Sequence, residues 1–235
     1  MEAQMRIMDN ELRPEILPIP TFMRHLKVHR GYPVPWFVDW IDGQPEFRAM
    51  DRRKFVRAIN ERLCWVCGNE LFGELIFTVG PMCGINKISS EPPSHRECAR
   101  FSARACPFLS KPKMERREFE HKDKKTPTGI MVERNPGVTL LWFTRRFTTI
   151  QARENKAAGV GAGVLFKLGR AFKVEWYREG RPATRAEIME SIDTGLPLLH
   201  DANRKQAGDD AEALANLTAA VEAQLAEAMR LVPMQ

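Results

Sequence analysis

The segment CWVCGNELFGELIFTVGPMCGINKISSEPPSHREC, residues 64–98, decides how this chain is read. It opens on Cys64-x2-Cys67 followed by Gly68, and it closes on His95-x2-Cys98. An x2 spacing lets one tight turn present two ligands, and thiolate with imidazole is the donor set that tetrahedral zinc prefers. Gly68 suits such a knuckle because it relieves backbone crowding where amides turn toward sulfur. Pro92 and Pro93 stiffen the approach to Ser94, which with Glu97 spells an S-x-x-E capping box. A helix beginning there sets His95 and Cys98 three residues apart on its first turn, where the positive end of the helix favours a thiolate. Cys64, Cys67, His95 and Cys98 are therefore the expected zinc ligands, with Cys83 or Cys106 as alternatives in the place of His95.

Knuckle, hairpin, then two ligands from the start of a helix is the layout of the treble-clef zinc finger. Residues 64–106 resemble that family over about a fifth of the chain. The resemblance implies a structural zinc on Cys64, Cys67, His95 and Cys98. The chain as a whole resembles proteins of bacteria and their phages.

Other chemistries fit less well. A thioredoxin-like CxxC sits between strand and helix of a βαβ unit, whereas here a helical pattern precedes the motif. His95-Arg96-Glu97 spells the H-x-E of zinc deaminases, but the cysteine pair lies on the wrong side of it. Four protein ligands would also close the site to water. Cys83, between Gly80-Pro81 and Gly84, is a candidate nucleophile that needs a base from among His25, His29, His121 and His200. GVGAG at 159–163 precedes a strand pattern where a phosphate loop should follow one, so it reads as a connector.

The rest of the chain sets the frame. Its 235 residues are 43% hydrophobic and 28% charged, ordinary for a globular protein. No apolar run is long enough to span a bilayer, and the first residues carry acids where a secretory signal needs an apolar stretch. Five clustered cysteines make an odd set, which points to reduced thiols and a cytoplasmic setting.

The expected class is α+β: a treble-clef-like zinc segment with small antiparallel sheets and an amphipathic C-terminal helix. Residues 1–35 read as an irregular, proline-punctuated arm. Residues 36–110 hold a hairpin turning at Asp42-Gly43, a helix capped by Asp51, the knuckle, two short strands about Gly80-Pro81, and the second ligand pair. Residues 111–128 read as a charged loop. Residues 129–200 read as two hairpins, turning at 135–137 and near Gly169, then a helix opened by the capping box Thr184 to Glu187 and closed at Gly195. Within 205–235, Leu214, Leu217, Val221, Leu225, Ala228 and Val232 form one apolar stripe, for the core, a protein partner or self-association.

Charge suggests the partner. Between residues 101 and 185 there are 19 Lys plus Arg against 8 Asp plus Glu, within a net charge of +6. DNA or RNA is the first partner class. Lys111, Lys113, Arg116, Arg117, Lys122, Lys124 and Lys125 in the charged loop are candidate phosphate contacts. Arg145 and Arg146, beside Trp142 on an expected strand, add cations with an aromatic that stacks on bases.

Overall fold

The prolines impose an irregular arm over residues 7–35: three single 3-10 turns, then a two-residue ladder of β1 (Val28–His29) with β2 (Tyr32–Pro33). The structure, a computed structural model, describes residues 7–110, 136–154 and 161–234, apart from the side chain of Arg48. Irregular backbone here does not leave side chains solvated. Ile7, Leu12, Ile16, Ile19, Met23 and Leu26 share one core with Cys64, Cys67, Leu75, Cys98 and Phe101. The arm is a strap laid over the cysteine-bearing segment.

The expected hairpin forms, β3 (Val38–Ile41) pairing with β4 (Gln44–Met50). Asp42 and Gly43 turn it at φ 50° and 75°, the left-handed pair that matches the twist of a two-residue hairpin. Asp51 accepts a hydrogen bond from Arg53 N (2.9 Å) and caps α1 (Arg52–Asn60).

Beyond α1 the local signals and the structure part twice. ELIFTVGPMCGIN makes one strand, β5 (Leu75–Val79), and then a short helix, α2 (Pro81–Asn86), in place of the second strand. Pro81 takes the first helical position, where a missing N–H costs nothing. After β6 (Ile88–Ser89), Ser94 does not cap the next helix. Its backbone exchanges hydrogen bonds of 2.8 and 3.1 Å with Ile76 of β5, so His95 becomes the N-cap of α3 (Arg96–Ala105). A single turn, α4 (Pro107–Ser110), follows.

The hairpin expected about Gly169 does not pair locally. β7 (Thr139–Thr144), β8 (Phe147–Ala152), β9 (Gly163–Leu168) and β10 (Lys173–Arg178) follow in order, but β7 pairs with β10 and β8 with β9. They form a long ribbon, bent where Arg145-Arg146 face residues 169–172. Between the pairs Phe143↔Lys173 and Phe147↔Leu168, residues 144–146 oppose the longer 169–172, a bulge that turns the strands. The outer limb belongs to the sheet β11-β10-β7-β5, with β11 at Arg181–Pro182, and the inner limb to β6-β9-β8. Gly169 therefore sits at a bend rather than a turn. Residues 129–135, which the turn at 135–137 would need, lie outside the described residues.

α5 (Arg185–Ala207) opens on the expected capping box, with Thr184 N donating to Glu187 Oε2 (2.8 Å). It does not stop at Gly195 but runs on through Pro197. Gly195 is a close-packing point, because a Cβ there would lie 2.9 Å from Met82 Cε of α2. α6 (Ala211–Met229) is capped by Asp210. Its Val221 and Ala228, with Val232 beyond, are buried in the main core with Phe77, Leu140, Phe166, Ile188 and Ile192. The architecture is α+β, and no helix among the described residues is long and apolar enough to cross a membrane.

The centre of the α6 stripe is thus covered by its own chain. Val221→Asp should cost about 3 kcal/mol or more in denaturant unfolding, since it buries an unpaired carboxylate. An unchanged midpoint, with loss of a larger species in sedimentation, would instead make the stripe an interface between copies.

Candidate metal centre

The knuckle is built by its backbone. Cys64 N donates to Asn69 O (2.7 Å) and Gly68 N to Cys64 O (2.8 Å), while Leu63 and Glu70 bridge behind them. Gly68 turns at φ 76°, and a Cβ there would lie 2.5 Å from the Trp36 ring. Only glycine satisfies both conditions. β5 then runs away from the knuckle, and the bridge from Ile76 to Ser94 brings the start of α3 back beside it.

Cys64, Cys67, His95 and Cys98 converge as four buried residues whose ligand atoms all lie within 4.8 Å of one another. They are positioned to hold a metal ion. Zinc bonded to sulfur and nitrogen at its usual lengths has tetrahedral edges of roughly 3.5 Å. Cys67 Sγ and His95 Nδ1 already stand 3.4 Å apart. On the far side of the ring, His95 Nε2 lies 2.9 Å from Glu70 O. A carbonyl only accepts, so Nε2 carries the proton and Nδ1 offers its lone pair to the centre.

The cluster's own hydrogen bonds shift its thiols in opposite directions. Burial opposes ionisation of Cys64, but hydrogen bonds to it, from Cys67 and Cys98 foremost, outweigh it and hold this thiol well below its usual range. The amides of Cys67 (3.5 Å) and His95 (3.4 Å) also point at Cys64 Sγ. Cys98 is pushed the other way, raised by its hydrogen bonds to Cys64 and Cys67. Three adjacent sulfurs cannot all become thiolates unless a positive ion lies among them.

The arm seals this centre, which the sequence did not foretell. Phe22 stacks on the His95 ring at 4.7 Å and 16°, and Phe72 covers it at 5.2 Å. His25 Nε2 donates to Cys67 O (2.8 Å), and Trp36 N to Val66 O (2.7 Å). His25, offered above as a base for Cys83, is thereby committed to the knuckle.

The alternative ligands stand apart. Neither Cys83 nor Cys106 belongs to the four-residue cluster. Cys83 lies on α2, where burial pushes its thiol up to about 11. Such a thiol stays protonated at neutral pH and is a poor nucleophile. Cys106 is the C-cap of α3. Glu97 is exposed on the outer side of α3, and with four protein ligands converging, a metal there has no open position for water.

The candidate nucleic-acid residues divide. Lys111, Lys113, Arg116, Arg117, Lys122, Lys124 and Lys125 lie outside the described residues. Trp142 is corrected: it is 2% exposed and donates its indole N–H to Gly169 O (2.8 Å). Its ring fills the main core, and no face remains for a base. Arg145 and Arg146 are exposed, at the bend of the ribbon rather than within a strand. The bend also exposes Arg170 and Phe172, which lie across from them and carried no recognisable motif.

Comparison with protein-family models, with curated proteins and with solved structures returned no match for the chain.

Proposed function

We propose that this is a zinc-stabilised, cytoplasmic binding protein, and that nucleic acid is what it binds. Cys64, Cys67, His95 and Cys98 hold one zinc ion in a treble-clef-like pairing of a knuckle with a helix N-terminus. The observation that carries the metal assignment is the closed, buried set of three sulfurs and an oriented imidazole nitrogen. Such a set suits a borderline-soft ion, and a site with four protein ligands is structural rather than catalytic. The ion's work would be mechanical: it ties the knuckle, α3 and the overlying arm into one core.

The nucleic-acid assignment is supported by exposed Arg145 and Arg146 and by the surplus of positive charge over residues 101–185. Elemental analysis of purified protein should find one zinc per chain, and its absence at stoichiometric level would overturn the metal assignment. Fluorescence anisotropy with labelled DNA and RNA should show binding that weakens by at least tenfold between about 50 and about 200 mM salt. Absence of binding at the lower salt would overturn the nucleic-acid assignment.

A further inference from the structure

We propose that the bend of the β7–β10 ribbon is a site for single-stranded nucleic acid, with Phe172 as the platform for one unpaired base. Arg145, Arg146 and Arg170 would neutralise the flanking phosphates. The inference rests on the nucleic-acid reading above and names its site and strand form.

Phe172 is anchored yet open. Its backbone N–H donates to Phe143 O (3.1 Å), and its ring meets the Phe143 ring edge-to-face at 6.3 Å and 72°. The side chain nevertheless remains 49% exposed. The guanidinium of Arg145 stands 5.7 Å from the ring centroid. An exposed aromatic joined to a cation is the pairing with which proteins stack bases and hold their phosphates.

Several other arginines of the surface are held by carboxylates. Arg57, Arg96, Arg100 and Arg181 each rest on a carboxylate of Glu61, Glu74, Glu175 and Glu187 respectively. Among the described residues, no carboxylate lies within ion-pair distance of Arg145, Arg146 or Arg170, and Glu227 acts on Arg170 only at longer range. An anion arriving there displaces no carboxylate of the described residues. The bend also resists collapse, because Thr144 Oγ1 donates between Arg146 O (3.0 Å) and Arg170 O (3.1 Å) and holds the two arginine-bearing segments together.

Single strands follow from the aromatic. In a duplex each base face is covered by its neighbour, so a lone ring on a surface gains nothing from it, whereas an unpaired base stacks freely. The shared chemistry, a phosphodiester chain with an unstacked base, is common to RNA and DNA.

The test uses the full chain with labelled oligothymidylate, oligouridylate and a mixed duplex, each of about twenty nucleotides, in anisotropy titrations at low salt. Phe172→Ala should weaken both single-stranded probes roughly tenfold and leave duplex affinity unchanged, while Phe172→Trp keeps wild-type affinity. Both variants should melt at the wild-type Tm, because the side chain is half outside the core. Changing Arg145 and Arg170 together to Gln should weaken all three probes and lower the salt slope by up to about two. Comparing the thymidylate and uridylate probes distinguishes DNA from RNA as the source. Wild-type affinity in Phe172→Ala would overturn this site while leaving the nucleic-acid reading intact, as would an equal loss in Phe172→Trp. Failure of the wild type to bind any probe would remove that reading and this site with it.

Discussion

Cys98→Ala protein should emerge from purification without zinc and without a folded arm. Cys98 is fully buried at the point where α3 meets the knuckle, and it shares a core with Ile7, Leu12, Ile16, Ile19, Met23 and Leu26 of the arm. Structural zinc contributes an apparent binding free energy of about 10–16 kcal/mol at neutral pH, against a whole-domain stability of about 5–15 kcal/mol. Losing a ligand, and with it the ion, is therefore comparable to losing the fold of this half of the molecule. The arm has few interactions of its own to fall back on: single 3-10 turns, a two-residue ladder, and contacts with the cluster through Phe22 and His25. Metal content and limited trypsin digestion check the result together, since cleavage after Arg13 and Arg24 should be slow in the wild type and rapid in the variant. Cys106→Ala, altered outside the cluster, should keep one zinc and the wild-type digestion pattern. Stoichiometric zinc in Cys98→Ala would show that the four residues are not the ligand set.

Gly169→Ala should cost about 3–4 kcal/mol, more than a glycine substitution in open space. A Cβ at Gly169 would lie 2.2 Å from Arg146 O and 2.8 Å from Thr144 Oγ1. The first of these is backbone across the ribbon and cannot swing aside. Gly169 also donates its N–H to Arg146 O (3.2 Å) and accepts from the Trp142 indole (2.8 Å), so moving it breaks both. The bend would open and draw Phe147 and Phe166 away from Phe77, which they meet at 5.6 and 6.1 Å. Gly43→Ala is the comparison. Gly43 has φ 75° but nothing within 4 Å of a Cβ, so it should lose only about 1 kcal/mol from backbone strain. Chemical denaturation of both variants measures the difference. A Gly169→Ala midpoint no lower than that of Gly43→Ala would mean that the ribbon accommodates the methyl group and that the bend is not held by this contact.

The cysteine–histidine cluster shows how far local pattern carries. Cys64, Cys67, His95 and Cys98 were readable because each pair is a spacing within four residues, and such a spacing presents two donors whatever surrounds it. The Asp42-Gly43 turn, the Asp51 cap and the Thr184 to Glu187 box are legible for the same reason, since each joins a side chain or a turn to backbone a few residues away. Ser94 and Gly195 carry equally good local signals and yielded to distant contacts. Ile76 claimed the backbone of Ser94, and the close packing of Met82 against Gly195 lies inside a helix that continues past it.

The sequence by itself determined the residue types of the cysteine–histidine cluster, the Asp42-Gly43 hairpin, the Asp51 and Thr184 caps and the α+β class, all of which depend on chemistry confined to a few residues. Tertiary structure alone decided the pairing of the strands and the direction of their side chains. TRRF reads as part of a strand and KLGRAF as a local turn, yet each passes a strand from one sheet to the next, and what pairs with β7 lies some thirty residues away on β10. Because side chains alternate along a strand, the extra residue on one side of that bend also settles which aromatic faces inward. Trp142 went to the core and Phe172 to the surface. The arm was decided in the same way: its apolar residues have no strand or helix period to reveal their burial, and they are buried because the cysteine cluster and α3 provide the surface on which they close.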